Sequence, residues 1–396
     1  MNILVIPSWY LPQGGNFFED HARSLATQGH KVSVLVSELN SLKTFSPGKF
    51  LRRRKINVKQ VKGLREIRHI YWKIPFSESI NVHLQSRHIH KLFKYYMKHF
   101  GSPDIIHAHC TLFAGYAASL LKKKYNVPYV VLENRSRFVA DNPFAREILQ
   151  KHQIPFVAKA LEGADKIETV CYRIQTTFEK IHAPSKPKML RCPNTVDIDF
   201  FLPDPGKKSP GNPFVFLCVG LLKPVKGIDV LLKSMHVLLN KYPGKFLLKI
   251  AGRGYQEEEL KNLAKSLHID DHVNFLGQLD RENLRDEMQK MDAFVLPSRF
   301  EAFGVVYIEA FACGKPVIGT RAGGPDDTII PEVGFLVEVD DSKDLHNAME
   351  KMYLNYHAFD EEMIRSYAVN NFSLNAVGKL HTRVFKEVLN ERNPSL

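Results

Sequence analysis

The stretch Glu301-Ala302-Phe303-Gly304-Val305-Val306-Tyr307-Ile308-Glu309 fixes the fold class. An apolar run, Ala293–Leu296, precedes it and ends in Pro297-Ser298; Ala310-Phe-Ala-Cys313 follows it. The pattern predicts a strand, a short loop and a helix over Gly304–Cys313. Glu301 falls in the loop. Glu309 falls about a turn into the helix, at a rise of roughly 1.5 Å per residue. Gly304 has no Cβ, so the backbone there can come close to a ligand. An apolar strand running straight into a helix is the repeating unit of a parallel α/β sheet.

The unit recurs in both directions. Strands are expected at Asn2–Pro7, Lys31–Ser37, Ile105–Ala108, Tyr129–Leu132 and Lys166–Cys171. A second series is expected at Phe214–Val219, Phe246–Ala251, Val273–Leu276, Ala293–Leu296 and Pro316–Gly319. Helices are expected at Phe17–Gln28, Ile228–Asn240, Gln256–Leu267 and Arg281–Gln289. Two such series describe two doubly wound Rossmann-like domains. The stretch Leu202–Pro213, with four prolines and two glycines, reads as the linker.

At 396 residues, with 44% hydrophobic and 24% charged, the chain has the composition of a globular protein rather than a disordered one. Its five cysteines form no C-x-x-C pair, which argues against a disulfide framework or a zinc site and for a reducing compartment. No secretory leader is read at the N-terminus, and no apolar run reaches the roughly 18 residues of a membrane span. Charge is unevenly shared. Residues 1–205 hold 31 Lys/Arg and 16 Asp/Glu, and residues 206–396 hold 24 and 26. Lys49–Lys73 carries ten basic residues against Glu66 alone, among Phe50, Leu51, Ile67, Ile70, Tyr71 and Trp72. Lys91, Lys94 and Lys98 follow, interleaved with Phe93, Tyr95, Tyr96 and Phe100. This bias points to an anionic partner, or to a solvated basic face.

The chemistry concentrates at strand ends. Amides at 304–306 and the positive end of the helix dipole suit a phosphate, and Glu309 can accept hydrogen bonds from ribose hydroxyls. The plainer alternative is an acid that complements the dipole. His109 ends Asp104-Ile-Ile-His-Ala-His109, where parallel strands open a ligand crevice, and imidazole can exchange a proton near neutral pH. His107 alternates with it and is expected to pack inward. Glu133-Asn-Arg-Ser-Arg137 follows another strand end.

Six segments together resemble retaining family-4 glycosyltransferases of the GT-B fold. They are E-A-F-G-V-V-Y-I-E at 301–309, Ala310–Ile318 with Gly323-Gly-Pro-Asp326, Cys218–Gly227, Ile250–Gly254, Cys192–Phe201, and Pro7–Tyr10 with Gly15–Leu25. The last resembles bacterial surface-polysaccharide members. The resemblance implies the roles that follow. Lys226 neutralises the leaving diphosphate. His109 lies near the reacting sugar and acceptor, and Glu301 near the sugar hydroxyls. Gly15, Arg253, Phe303, Gly304, Val305, Val306 and Glu309 complete the donor site. Many members carry an arginine where this chain has Leu221; Lys223, Arg253 and Arg299 are candidates to replace it. Asn134 stands where related sequences carry histidine, and with Arg135 and Arg137 it forms the expected acceptor set.

The expectation is thus two Rossmann-like domains with a cleft between them. The acceptor domain spans 1–205 and takes in a C-terminal crossover helix at about 372–396. The donor domain spans 206–371. The implied reaction moves a sugar from a nucleotide-diphosphate-sugar to a hydroxyl of a glycan or lipid-linked glycan, with retention and without a metal or other cofactor, in cell-surface polysaccharide (capsule or lipopolysaccharide) synthesis. A double displacement needs a carboxylate opposite the leaving group. The family geometry does not put Glu301 there, so same-face attack is implied. The expected place is cytoplasmic, peripheral on an anionic membrane face. The rival readings are a dinucleotide-dependent Rossmann protein and a basic nucleic-acid-binding protein. No G-x-G-x-x-G follows the first strand, and no zinc, RRM or helix-turn-helix signature accompanies the charge.

Overall fold

The computed structural model describes residues 1–10, 16–40, 55–72, 78–135, 150–181, 189–204, 206 and 211–392. They divide into two compact units. The first holds the described residues up to Thr195 together with the last helix; the second runs from Val196 to Ser373.

The first unit contains β1 (Asn2–Pro7), α1 (Asn16–Ala26), β2 (Lys31–Asn40), β3 (Asn57–Val61), β4 (Leu64–Trp72) and α2 (Glu78–Phe100). These are followed by β5 (Ile105–His109), α3 (Tyr116–Tyr125), β6 (Tyr129–Glu133), α4 (Ile154–Gly163), β7 (Lys166–Thr169), α5 (Tyr172–Ile181) and β8 (Met189–Arg191). The sheet order is β3-β4-β2-β1-β5-β6-β7-β8. All its pairs are parallel except the β3–β4 hairpin at the edge. Central strands buried on both faces need apolar residues at every position, and Ile3-Leu-Val-Ile6 are fully buried.

The second unit contains β9 (Phe214–Val219), α6 (Ile228–Lys241), β10 (Phe246–Ala251), α7 (Glu257–Ser266), β11 (Val273–Gly277), α8 (Arg281–Lys290) and β12 (Ala293–Leu296). It continues with α9 (Val305–Ala312), β13 (Val317–Thr320), β14 (Gly334–Val337), α10 (Ser342–Leu354) and α11 (Glu361–Phe372). Its all-parallel sheet has the order β11-β10-β9-β12-β13-β14. The chain then returns as α12 (Leu374–Arg392), which belongs to the first unit and packs on α1. That contact is close: a Cβ on Gly378 would lie 2.1 Å from the Ser24 carbonyl oxygen.

The second unit begins earlier than composition suggests. Val196 pairs with Ser373, and Arg365 donates to the carbonyls of Ile198 (3.1 Å) and Phe201 (3.2 Å). The Pro-rich stretch therefore follows the boundary, and residues 205 and 207–210 lie outside the described residues.

The basic stretch 49–73 is corrected in part. Residues 49–54 and 73 lie outside the described residues. The rest forms the β3–β4 hairpin, whose Leu64, Ile67 and Tyr71 are buried. These side chains are core, so they do not face a membrane. Helix α2 does the same with Phe93 and Tyr96, while Arg87, Lys91, Lys94 and Lys98 recur at helical spacing on its exposed face.

Candidate active site

In the second unit the loops after β9, β10, β12 and β13 gather at the carboxyl ends of the strands, where an open α/β sheet binds ligands. The turn Pro224–Lys226 leads into α6. Lys226 Nζ donates to Glu301 Oε2 across 2.5 Å. The two side chains are only 18% and 15% exposed, so the pair is partly screened from water. Lys226 also acts on Cys218, but burial dominates and pushes that thiol up to about 12.

Glu301 is held by its main chain. Its amide donates to Ala322 O (3.1 Å), and its carbonyl accepts from the Gly324 amide (2.8 Å). Three residues on, Gly304 (φ 81°) caps α9, and a Cβ there would lie 2.4 Å from the Tyr307 ring. Only glycine fits both the dihedral and the space. Tyr307 Oη donates to Leu296 O (2.7 Å), tying α9 to β12. Val305 and Val306 form the half-buried first turn, Phe303 is buried, and Glu309 lies half-buried one turn on. The positive end of α9 thus points to the side where Lys226 and Glu301 meet.

Arg299 does not replace the missing arginine. It donates twice to Asp229 (2.9 and 2.7 Å), to Asp340 (2.6 Å) and to Pro224 O (2.5 Å). Its cation is neutralised within the protein, and it fixes the turn that carries Lys226. Leu221 is 55% exposed. The Leu222 amide donates to Arg253 O (3.1 Å), which sets the exposed Arg253 beside that position.

In the first unit β5 ends at His109, and the turn after it is strained. Cys110 (φ 74°, ψ 140°) and Phe113 (φ 66°, ψ −77°) are non-glycine residues at positive φ. Such outliers cost about 1–3 kcal/mol each and persist where the surroundings hold them. Here Glu133 does the holding. Its Oε2 accepts from the Thr111 amide (2.8 Å) and hydroxyl (2.7 Å). Arg135 donates to both oxygens of Glu133 (2.9 and 3.0 Å). Burial would raise the Glu133 carboxyl, but Arg135 and Thr111 outweigh it and hold it low. Arg135 therefore keeps at most its remaining donors for an acceptor. Asn134 Nδ2 is buried without a partner among the described residues. Gly15 and Arg137 lie outside the described residues.

Behind His109 runs a buried polar chain. Its links are His109 Nε2 to His107 Nδ1 (3.1 Å), His107 Nε2 to Glu168 Oε2 (3.0 Å), and Glu168 Oε1 to His381 Nδ1 (2.9 Å). His381 Nε2 meets His21 Nδ1 (2.9 Å), and His21 Nε2 meets Asn194 Oδ1 (3.1 Å). His107, Glu168 and His381 are the metal-ligand types brought together among the described residues, within 4.8 Å of one another. Burial and the neighbouring His381 push His21 down to about 3.

Sequence reasoning quoted Glu133 without giving it a role and missed Glu168 and His381. Glu133 ends the apolar run of β6, a signal for a buried carboxylate, and its partners Arg135 and Thr111 lie 2 and 22 positions away. The histidines that meet Glu168, His107 and His381, lie 61 and 213 positions away.

Two family descriptions match the chain. "Glycosyltransferase Family 4" covers residues 14–200 and "Glycosyl transferases group 1" covers 204–368. The GDP-mannose-dependent monoacylated alpha-(1-6)-phosphatidylinositol monomannoside mannosyltransferase of Corynebacterium glutamicum is 32% identical over 44% of this chain and 50% of its own length. The D-inositol 3-phosphate glycosyltransferase of Corynebacterium jeikeium is 30% identical over 64% of this chain and 65% of its own. The chain spans about half the length of the curated relatives it matches at 32% identity in Corynebacterium glutamicum and Mycolicibacterium smegmatis. Among solved structures, sucrose-phosphate synthase from Thermosynechococcus elongatus matches with a TM-score of 0.77 at 20% identity, over 99% of this chain and 100% of that one. Anabaena HepE in complex with UDP matches with a TM-score of 0.71 at 18% identity, over 98% and 100%. At such identities the likeness shows the fold.

Proposed function

The chain belongs to the glycosyltransferases of group 1 and family 4, and from that premise we propose that it is a retaining glycosyltransferase. The donor is a nucleotide-diphosphate-sugar, bound in the second unit. The acceptor is a hydroxyl of a glycan or lipid-linked glycan, and the product enters cell-surface polysaccharide. The observation that carries this reading is the Lys226–Glu301 pair, 2.5 Å apart, at the start of α9. A cation and a helix N-terminus together suit a diphosphate, and a carboxylate beside them suits the hydroxyls of the attached sugar. Arg253 supplies the second cation in place of the family arginine. Relatives named for phosphatidylinositol-linked substrates support a lipid-linked acceptor, and the UDP complex of HepE supports a nucleotide donor.

The acceptor oxygen bonds to the anomeric carbon on the face from which the diphosphate leaves. The carbon–oxygen bond to phosphate breaks with its electron pair, and the acceptor's proton passes to the leaving phosphate oxygen. Lys226 and the first amides of α9 stabilise the charge that grows there. No metal ion is needed in this scheme. His109, with Asn134 and Arg135, serves the acceptor in the first unit.

No helix among the described residues is long and apolar enough to cross a membrane. The exposed stripe Arg87, Lys91, Lys94 and Lys98 on α2 supports peripheral docking on the anionic cytoplasmic leaflet. A panel of UDP-, GDP-, ADP- and CDP-sugars, scored for nucleotide release and for the anomeric configuration of the product, tests the function. Turnover of one donor with retention is expected. Turnover with inversion overturns the same-face mechanism, and release from none overturns the function.

A further inference from the structure

We propose that Glu168 is a positioning residue that acts through His107. It fixes His109 in the tautomer with its proton on Nε2, leaving Nδ1 bare as an acceptor for a substrate hydroxyl. The proposal rests on the reading of His109 given above.

An ionised carboxylate only accepts hydrogen bonds, and a neutral imidazole has one N–H and one bare nitrogen. Glu168 is wholly buried. Burial would raise its carboxyl, but His381 and His107 outweigh it and hold it well below the usual range. It is therefore ionised, and each nitrogen that faces it must carry a proton. His107 Nε2–H donates to Oε2 across 3.0 Å, and His381 Nδ1–H donates to Oε1 across 2.9 Å. Burial pushes His107 down, so it is neutral and its single proton is already placed. Its Nδ1 is then bare, and His109 Nε2, at 3.1 Å, must donate into it. Burial also holds His109 neutral, which leaves its Nδ1 without a proton.

That nitrogen is buried and has no partner among the described residues. Buried polar atoms nearly always have one, so an unpaired acceptor at a strand end awaits a donor. A hydroxyl can supply it. A phosphate oxygen or a carbonyl, which only accept, cannot. The ring is also held in place. The Ser8 amide donates to His109 O (3.2 Å), and Phe18 packs on the ring at 5.0 Å between centroids. His381 stands on α12, so the last helix completes the chain that sets this proton.

Nitrogen-15 NMR of the full chain with labelled histidine separates protonated from bare ring nitrogens. The His109 signal is assigned by its loss in His109→Gln. At neutral pH, His107 and His109 should both carry Nε2–H with Nδ1 bare. A proton on His109 Nδ1 overturns the proposal. So does one equivalent of bound zinc by elemental analysis, because a metal would take the nitrogens that face Glu168. In Glu168→Gln an NH2 group, which only donates, replaces one carboxylate oxygen, so the imidazole facing it must give up its N–H. Where that ring is His107, His109 should leave the pure Nε2–H state; where it is His381, the His381 signal changes instead. Turnover of the donor found in the panel should fall about tenfold, the size of losing one hydrogen bond to the substrate, while affinity for UDP or GDP by calorimetry stays unchanged. A folded Glu168→Gln protein whose His107 signal has changed while the His109 signal and turnover have not overturns the proposal. If Glu168→Gln does not fold, the wild-type spectrum still decides. If no sugar is transferred, glycosyl transfer fails as the function, and the tautomer assignment stands or falls on the spectrum alone.

Discussion

Lys226 can meet a diphosphate only by loosening or sharing its contact with Glu301, 2.5 Å away. Its loss should therefore act on the chemical step. Lys226→Ala is expected to lower turnover by about tenfold or more, since the charge it offsets grows as the bond breaks. Steady-state kinetics with the donor from the panel checks this. Glu309 should behave differently, because ribose hydroxyls are bound equally before and during reaction. Hydrogen bonds to a charged acceptor contribute about 1.5–3 kcal/mol, so Glu309→Ala should weaken nucleotide-sugar binding at least about tenfold, as calorimetry can read, and leave the melting temperature in place. The candidate donor residues were legible because they are near in sequence: Glu301, Gly304 and Glu309 span one loop and one helix. Arg299 stayed open in the sequence beside Lys223 and Arg253 because Asp229 and Asp340, its partners, lie 70 and 41 positions away.

At the scale of elements, the central strands could be read because burial on both faces leaves uninterrupted apolar runs such as Ile3–Ile6. The β3–β4 hairpin could not, because β3 is an exposed edge strand and carries no alternation. Helix α12 meets α1 at Gly378, where a side chain would strike the Ser24 carbonyl. Gly378→Leu should therefore destabilise the first unit by about 1–3 kcal/mol, the usual cost of overpacking, and leave nucleotide affinity unchanged. A urea midpoint and a calorimetric titration separate the two effects. The histidines of the first unit set its response to acid. His21, His107 and His109 are all lowered by burial, so the unfolded chain takes up protons first as pH falls. Stability is present above the ordinary histidine value and is lost below it, by about 1.4 kcal/mol per pH unit for each histidine kept neutral. For His21 the loss runs from 6.5 down to about 3. Glu168, also lowered, adds to the loss at lower pH. Urea unfolding at pH 7.5 and pH 5 should show the drop, and His21→Asn should flatten it.

At the scale of the whole molecule, the net charge of +13 is made of +15 before residue 206 and −2 from there on. If α2 docks on anionic lipid, each exposed lysine contributes about 1 kcal/mol, roughly fivefold in affinity. Sedimentation with phosphatidylserine-containing vesicles should show binding that fades with salt and drops when Lys91, Lys94 and Lys98 become Ser. Indifference to such vesicles at low salt removes the membrane from the proposal. The order of the two units along the chain has a further effect, on synthesis. Because α12 follows the second unit in sequence but belongs to the first, a ribosome synthesises every part of the second unit before it begins the helix that completes the first. During that interval Glu168 and His21 lack His381. The nascent first unit is therefore the part most exposed to chaperones and proteases, although it is translated first. A stop codon placed just before Leu374 should yield a chain whose second unit resists limited proteolysis while its first is digested.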